Sequence, residues 1–163
     1  MVPLYFACTC AFACAPALVR GPVVENADLR DLEGEPLRVE AYRGRVVALH
    51  FVATWATLSL VDVKYLAALD ERVGYQGLTV IIAVTDREGA RVAAPLKSAF
   101  RLGCRVASAD APVVEGRTPL GRIAAVPFTA LLDRQGRVVF RTNAPLDRPA
   151  FERLVNRLLR EEP

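Results

Sequence analysis

Apolar and polar positions along the chain change period several times, and each change marks an element. Leu37, Val39 and Ala41 alternate with polar neighbours between Gly34-Glu35-Pro36 and Arg43-Gly44, which predicts a short strand held between turns. From Val46 to Val52 the apolar run is nearly continuous, the pattern of a central strand buried on both faces. Leu58, Val61, Tyr65, Leu66, Leu69 and Val73 then recur at helical spacing, with Asp62, Asp70, Glu71 and Arg72 on the outside. Leu78 to Val84 predicts a second buried strand. A helix is expected to start near Pro95, which suits a first turn, and to carry Leu96, Ala99, Phe100 and Leu102 to a stop at Gly103. Cys104 to Ala107 is a candidate short strand. Phe128 to Leu132, a turn at Asp133-Arg134-Gln135-Gly136, and Val138 to Arg141 predict an antiparallel hairpin. Asp147 then caps a closing helix whose inner face is Phe151, Leu154, Val155, Leu158 and Leu159. The order β-β-α-β-α-β-β-α, with parallel strands joined by helices, predicts an α/β layered domain.

The opening of the chain has a different character. Val2 to Ala13 is uncharged and almost entirely apolar, too short for a membrane anchor of ~20 residues but suited to a secretory leader. Ala11-Phe12-Ala13 offers small residues at −3 and −1 of a cut before Cys14, so Cys14 is a lipidation candidate. The segment lacks a basic start, and Phe12 departs from the usual lipoprotein pattern. Residues 1–13 are therefore expected to be a leader, 14–26 a flexible tether with Pro and Gly and no period, and 27–163 the folded domain. An exported protein of the periplasm or cell envelope is implied, with membrane contact only through a lipid on Cys14.

Composition narrows the function classes. Hydrophobic residues make up 53% of the 163, enough for a packed core and against a disordered chain. The net charge of +3 comes from 21 basic and 18 acidic residues scattered along the sequence, which argues against a dedicated nucleic-acid face. Cys8, Cys10, Cys14 and Cys104 have no companion set of ligands, and His50 is the only histidine; neither a zinc site nor a disulfide framework is expected. No metal and no cofactor is implied.

Two phrases carry a family resemblance. The stretch from Asp31 to Ser59 reads DLEGEPLRVEAYRGRVVALHFVATWATLS, and the stretch from Ala124 to Arg141 reads AAVPFTALLDRQGRVVFR. The first resembles the opening of the thioredoxin-like redoxins of the TlpA type, relatives of the peroxiredoxins: a short hairpin, a basic-Gly-basic-Val-Val step, then Phe-Trp-Ala-Thr-Trp-Cys-x-x-Cys. The second resembles their Val-Pro-Thr-Thr-Phe-Leu-Ile-Asp-x-x-Gly-x-Ile. The resemblance covers residues 27 to 161 and implies a thioredoxin-like fold, with a central mixed β-sheet flanked by helices and an N-terminal β-hairpin extension. It places the family cysteines on Ala56 and Ser59 and the family cis-proline on Pro127.

Those substitutions decide the chemistry. Thiol–disulfide exchange needs a thiolate and a second thiol to resolve the mixed disulfide, and residues 15 to 103 contain no cysteine. Dithiol and peroxidatic catalysis at this position are excluded. Thr54, Thr57 and Ser59 are expected to cap a helix start, and His50 to be a hydrogen-bonded core residue, although it sits where thioredoxins keep a buried acid. Cys104, between Arg101 and Arg105, is either a small buried hydrophobe or a lone thiol with a lowered pKa. In the family, the tryptophan and the cis-proline border a groove that holds an extended peptide. Trp55, Ala56, Thr57, Val126 and Pro127 are the corresponding candidates here. A redox-inactive module binding a peptide or protein is the leading expectation. The alternatives are a thiol-disulfide oxidoreductase using Cys104 or a partner's thiol, and a scaffold with the groove unused.

Overall fold

The computed structural model describes residues 18–109 and 115–161. The leader, Cys8, Cys10 and Cys14 lie outside the described residues. The elements, in chain order, are β1 (Leu29–Arg30), β2 (Pro36–Leu37), β3 (Val46–Val52), α1 (Val63–Val73), β4 (Leu78–Val84), α2 (Ala90–Phe100), β5 (Arg105–Ala109), β6 (Phe128–Leu132), β7 (Val138–Thr142) and α3 (Arg148–Arg160). One sheet runs β2-β1-β5-β4-β3-β6-β7. The β3–β4 and β4–β5 pairs are parallel, and β3–β6, β6–β7 and the β1–β2 hairpin are antiparallel.

β3 and β4 are buried at every position, as continuous apolar strands must be when both faces are covered. One face packs under α1, α2 and α3 through Leu66, Leu69, Leu96, Phe151, Val155 and Leu158. The other is covered by Val24, Ala27 and Val39 from the N-terminal part and by Leu120 and Ile123. α3 begins as expected, with Asp147 accepting from the Ala150 amide at 3.1 Å. Its last carbonyls are met by Arg134, which donates to Leu159 O at 2.9 Å and Glu161 O at 3.2 Å.

The structure corrects the sequence reading in five places. Val39–Tyr42 forms a 3-10 turn instead of a strand; β1 offers partners only as far as Leu37, so the backbone beyond it closes on itself. The helix expected from Leu58 starts at Val63, after a separate 3-10 turn over Thr57–Leu60. α2 starts at Ala90, with Pro95 inside it. It ends at Phe100 because Arg101 adopts a left-handed conformation and Leu102 N reaches back to Lys97 O at 3.0 Å. The strand expected from Cys104 begins one residue later and runs to Ala109.

The fifth correction concerns the expected tether. Its described part is docked on the outer edge of β7: Gly21 N donates to Val138 O at 2.7 Å, Val138 N to Pro22 O at 3.1 Å, and Val24 N to Gly136 O at 2.8 Å. An open edge strand presents unpaired backbone groups, and this segment satisfies several of them.

The packing separates two leucines that the helical pattern grouped together. Leu66→Ala should cost ~2–5 kcal/mol, because it empties a fully buried site. Leu58→Ala, at a residue 57% exposed, should stay within about 0.5 kcal/mol of wild type. Urea midpoints at unchanged slope measure both.

Candidate functional site

The antiparallel register of β3 on β6 ends with Phe51 opposite Phe128. Continued outward, it sets Val52 against Pro127 and Ala53 against Val126. The loop after β3, the segment after β4 and the approach to β6 therefore meet at one end of the sheet, outside the carboxyl ends of the parallel strands, where α/β sheets carry their sites. The Val126–Pro127 peptide is cis.

Ser59 closes the loop. Its hydroxyl accepts from Ala53 N at 3.1 Å and lies 2.8 Å from Ala53 O and 2.7 Å from Ala56 O, sharing its one proton between the two carbonyls. The residue is fully buried. Ala56 starts the 3-10 turn without a side-chain cap, and Ser59 N donates to Ala56 O at 2.8 Å. Thr54 ties the loop to the end of β4: its amide and hydroxyl donate to the Asp86 carboxylate at 2.9 and 2.7 Å. The expected helix caps are thus absent. Neither the 3-10 turn nor α1 has a side-chain cap, and Thr54 and Ser59 fasten the loop instead.

His50 completes the interior. Its Nε2 lies 3.3 Å from Ser59 O and its Nδ1 2.8 Å from Thr129 Oγ1. A carbonyl only accepts, so Nε2 carries the proton and the Thr129 hydroxyl donates to Nδ1. Burial pushes the His50 pKa down to about 4, against the Ser59 carbonyl and the Asp62 carboxylate, both of which favour the cation. The nearness of Ser59 and His50 is not a nucleophile–base pair. The imidazole bonds the serine's carbonyl, not its hydroxyl, and both are shielded from solvent.

Asp62 anchors the next step of the chain. Its carboxylate accepts from Leu146 N at 2.7 Å and from Arg148 Nε at 3.0 Å, joining the start of α1 to the start of α3. Cys104 is 2% exposed and packs in the helix-side core. Burial pushes its thiol up to about 12; the Asp70 carboxylate adds to the shift, and Lys97 opposes without reversing it. The flanking arginines do not activate it.

The outer side of the loop is apolar and open. Trp55 is 78% exposed, Leu58 57% and Val61 49%, with Thr57 exposed and Ala56 half-buried beside them. Across the sheet end, Ala124 and Ala125 are exposed, Val126 is half-buried and Pro127 is buried. The backbone groups of 124–126 have no backbone hydrogen bond among the described residues. Sequence reasoning named Trp55, Ala56, Thr57, Val126 and Pro127 as groove candidates; it passed over Asp86 and Thr129, and it put Asp62 on the outside of a helix, where the structure buries it. The available signal for Asp86 was an acidic residue just past the end of a buried strand.

No family model matches the chain, and no curated protein matches it. Among solved structures it is similar to a thiol:disulfide interchange protein of the thioredoxin family from Chlorobium tepidum TLS, with a TM-score of 0.71 and 18% identity over 89% of this chain and 99% of that one. It is also similar to the thioredoxin domain of a thiol-disulfide oxidoreductase from Bacteroides vulgatus, with a TM-score of 0.68 and 19% identity over 86% of this chain and all of that one (100%). At these identities the likeness shows the fold, which is thioredoxin-like.

The buried imidazole generates a pH dependence. Above its ordinary pKa of 6.5, His50 is neutral folded or unfolded and contributes no slope. Below that value the unfolded chain takes up a proton that the folded chain refuses until about pH 4, so stability is lost as pH is lowered through this window, by about 3 kcal/mol in full. His50→Gln removes the titration. Its stability deficit relative to wild type should shrink as urea unfolding is stepped from pH 7 to pH 4.5, and a constant deficit would show that the folded protein binds the proton as readily.

Proposed function

We propose that this chain is a redox-inactive, thioredoxin-fold protein of the cell envelope that binds a peptide or protein beside Ala56 and Ser59. The observation that carries this reading is the open apolar surface of Trp55, Leu58 and Val61, at the same end of the sheet as a stretch at 124–126 whose backbone is unpaired among the described residues. An extended segment gains main-chain hydrogen bonds from such an edge and burial from such side chains. Solvent-exposed tryptophan is also a common centre of binding energy. Trp55, Ala56, Thr57, Val126 and Pro127 form the groove in this reading. The leader and Cys14 supply the reason for placing it outside the cytoplasm.

Dithiol chemistry has no reactant at this position. Ala56 cannot ionise, and the Ser59 hydroxyl is committed to the loop. The alternative of a reactive lone thiol finds Cys104 buried and hard to ionise, the opposite of an activated cysteine.

Wild-type protein should show no disulfide reductase or peroxidase turnover, and Cys104→Ser should leave that unchanged. Ala56→Cys with Ser59→Cys should gain weak reductase turnover, because the scaffold sets both positions in one loop, although Ala56 precedes a 3-10 turn and not a long helix. Wild-type turnover that disappears in Cys104→Ser would sink the binding-module reading. In cells, palmitate labelling lost in Cys14→Ala tests the anchor.

A further inference from the structure

A cavity of about 380 Å3 opens at the same end of the sheet, lined by Leu120, Arg122, Phe128, Arg141, Thr142 and Asn143. Its place is fixed by register. Phe128 directly follows Pro127, and Thr142 pairs with Thr129 on the neighbouring strand. Leu120 and Phe128 give buried apolar walls. Arg122 and Arg141 are exposed, and no carboxylate lines the cavity. Neither guanidinium makes an ion pair or hydrogen bond among the described residues. Elsewhere in the fold, by contrast, Arg20, Arg45, Arg134 and Arg148 are all bonded.

Two glycines bring these arginines together. Gly116 has φ +84°, and a Cβ there would lie 2.7 Å from Arg122 Cα. Gly121 has φ +78°, and its missing Cβ would meet Arg141 Nη1 at 3.4 Å. The Arg141 guanidinium therefore lies against the residue next to Arg122. The Thr142 hydroxyl, accepting from Ala144 N at 3.2 Å, still has its own proton to donate.

We propose that this cavity takes the carboxylate of an acidic side chain on the extended segment bound beside Trp55. The inference rests on the peptide-binding reading and gives that peptide a charge. Two exposed guanidiniums that line one cavity, with no carboxylate in its described lining, favour an anion there. Their planar forks match a carboxylate. The apolar walls accept the methylene stem, and the volume suits one side chain. Neighbouring strands lie about 4.8 Å apart, so β3 to β7 spans about 10 Å, or roughly three residues of extended peptide. The acidic residue should follow or precede the residue covering Trp55 by about that interval.

The test uses the full chain and a set of octapeptides, each with one leucine and one glutamate at stepped spacings, and each matched by a glutamine version. Fluorescence anisotropy at low ionic strength should show glutamate preferred over glutamine by roughly tenfold at one spacing. Arg122→Gln combined with Arg141→Gln should erase that preference and leave glutamine-peptide binding intact. Trp55→Ala should weaken both versions. Equal binding of the two versions, still dependent on Trp55, would overturn the carboxylate site and leave the groove standing. Absence of binding by every peptide would overturn both. Inorganic phosphate bound at the arginines more tightly than the glutamate peptide would mark a free-anion site and overturn the proposal. Unchanged melting of the arginine variants separates lost recognition from lost fold.

Discussion

β3 is hydrogen-bonded on both sides, parallel to β4 and antiparallel to β6, and this double pairing decides where everything chemical in the molecule is found. The parallel partner brings the segment after β4, with Asp86, to the same end as the loop after β3. The antiparallel partner brings the residues before β6 to that end from the other side. His50, midway along β3, then bonds Thr129 on β6 and the Ser59 carbonyl in the loop. One buried imidazole thus joins sheet to loop across the centre. A strand of seven buried residues leaves little freedom for the register to slip, since a shift by one would turn His50 and Phe51 to the wrong faces.

At the loop itself, Ser59 acts as a structural device. A thiol at position 59 would be a weak donor and acceptor; the Ser59 hydroxyl makes short bonds of 2.7 and 2.8 Å to two carbonyls while accepting an amide. The loop is closed by that hydroxyl from inside and by the Thr54–Asp86 contacts from the side. The regular α-helix starts only at Val63, so Ala56 does not sit at the positive end of a long helix. Ala56 thus offers neither a sulfur nor the field of a long helix. Outside the loop, the apolar side chains of Trp55, Leu58 and Val61 face solvent.

Much of this was legible in the sequence, for physical reasons that differ between elements. Continuous apolar runs identified β3 and β4, and the turn at Asp133–Gly136 with its flanking strands identified β6 and β7, because burial alone dictates those patterns. α3 was readable from its cap and its inner face. The misreadings cluster where local pattern and tertiary partner disagree. Val39 and Ala41 alternate as a strand would, yet β1 is too short to pair with them. Leu58 and Val61 keep helical spacing with Leu66 and Leu69, yet the loop closure at Ser59 turns them outward. Pro95 fits a first turn, but the helix runs through it. Of the site, Trp55 and Pro127 could be found because their types are distinctive. Asp86, Thr129 and the Arg122–Arg141 pair depend on strand order and loop packing, which spacing along the chain does not encode.

Two costs are carried by the free protein at the same end of the sheet. Trp55, Leu58 and Val61 expose apolar area that burial would favour at about 25 cal/mol per Å2, and Arg122 and Arg141 face one cavity without a counter-charge among the described residues. Neither feature belongs to the core, which is complete without those three side chains and both guanidiniums. Exposed apolar residues scattered over a surface need no account. Here, however, the apolar cluster, the backbone at 124–126, unpaired among the described residues, and the basic cavity lie at the same end of the sheet. A partner that presents an extended backbone, an apolar side chain and a carboxylate would satisfy all three at once, which is the physical case for the recognition surface proposed at this end of the molecule.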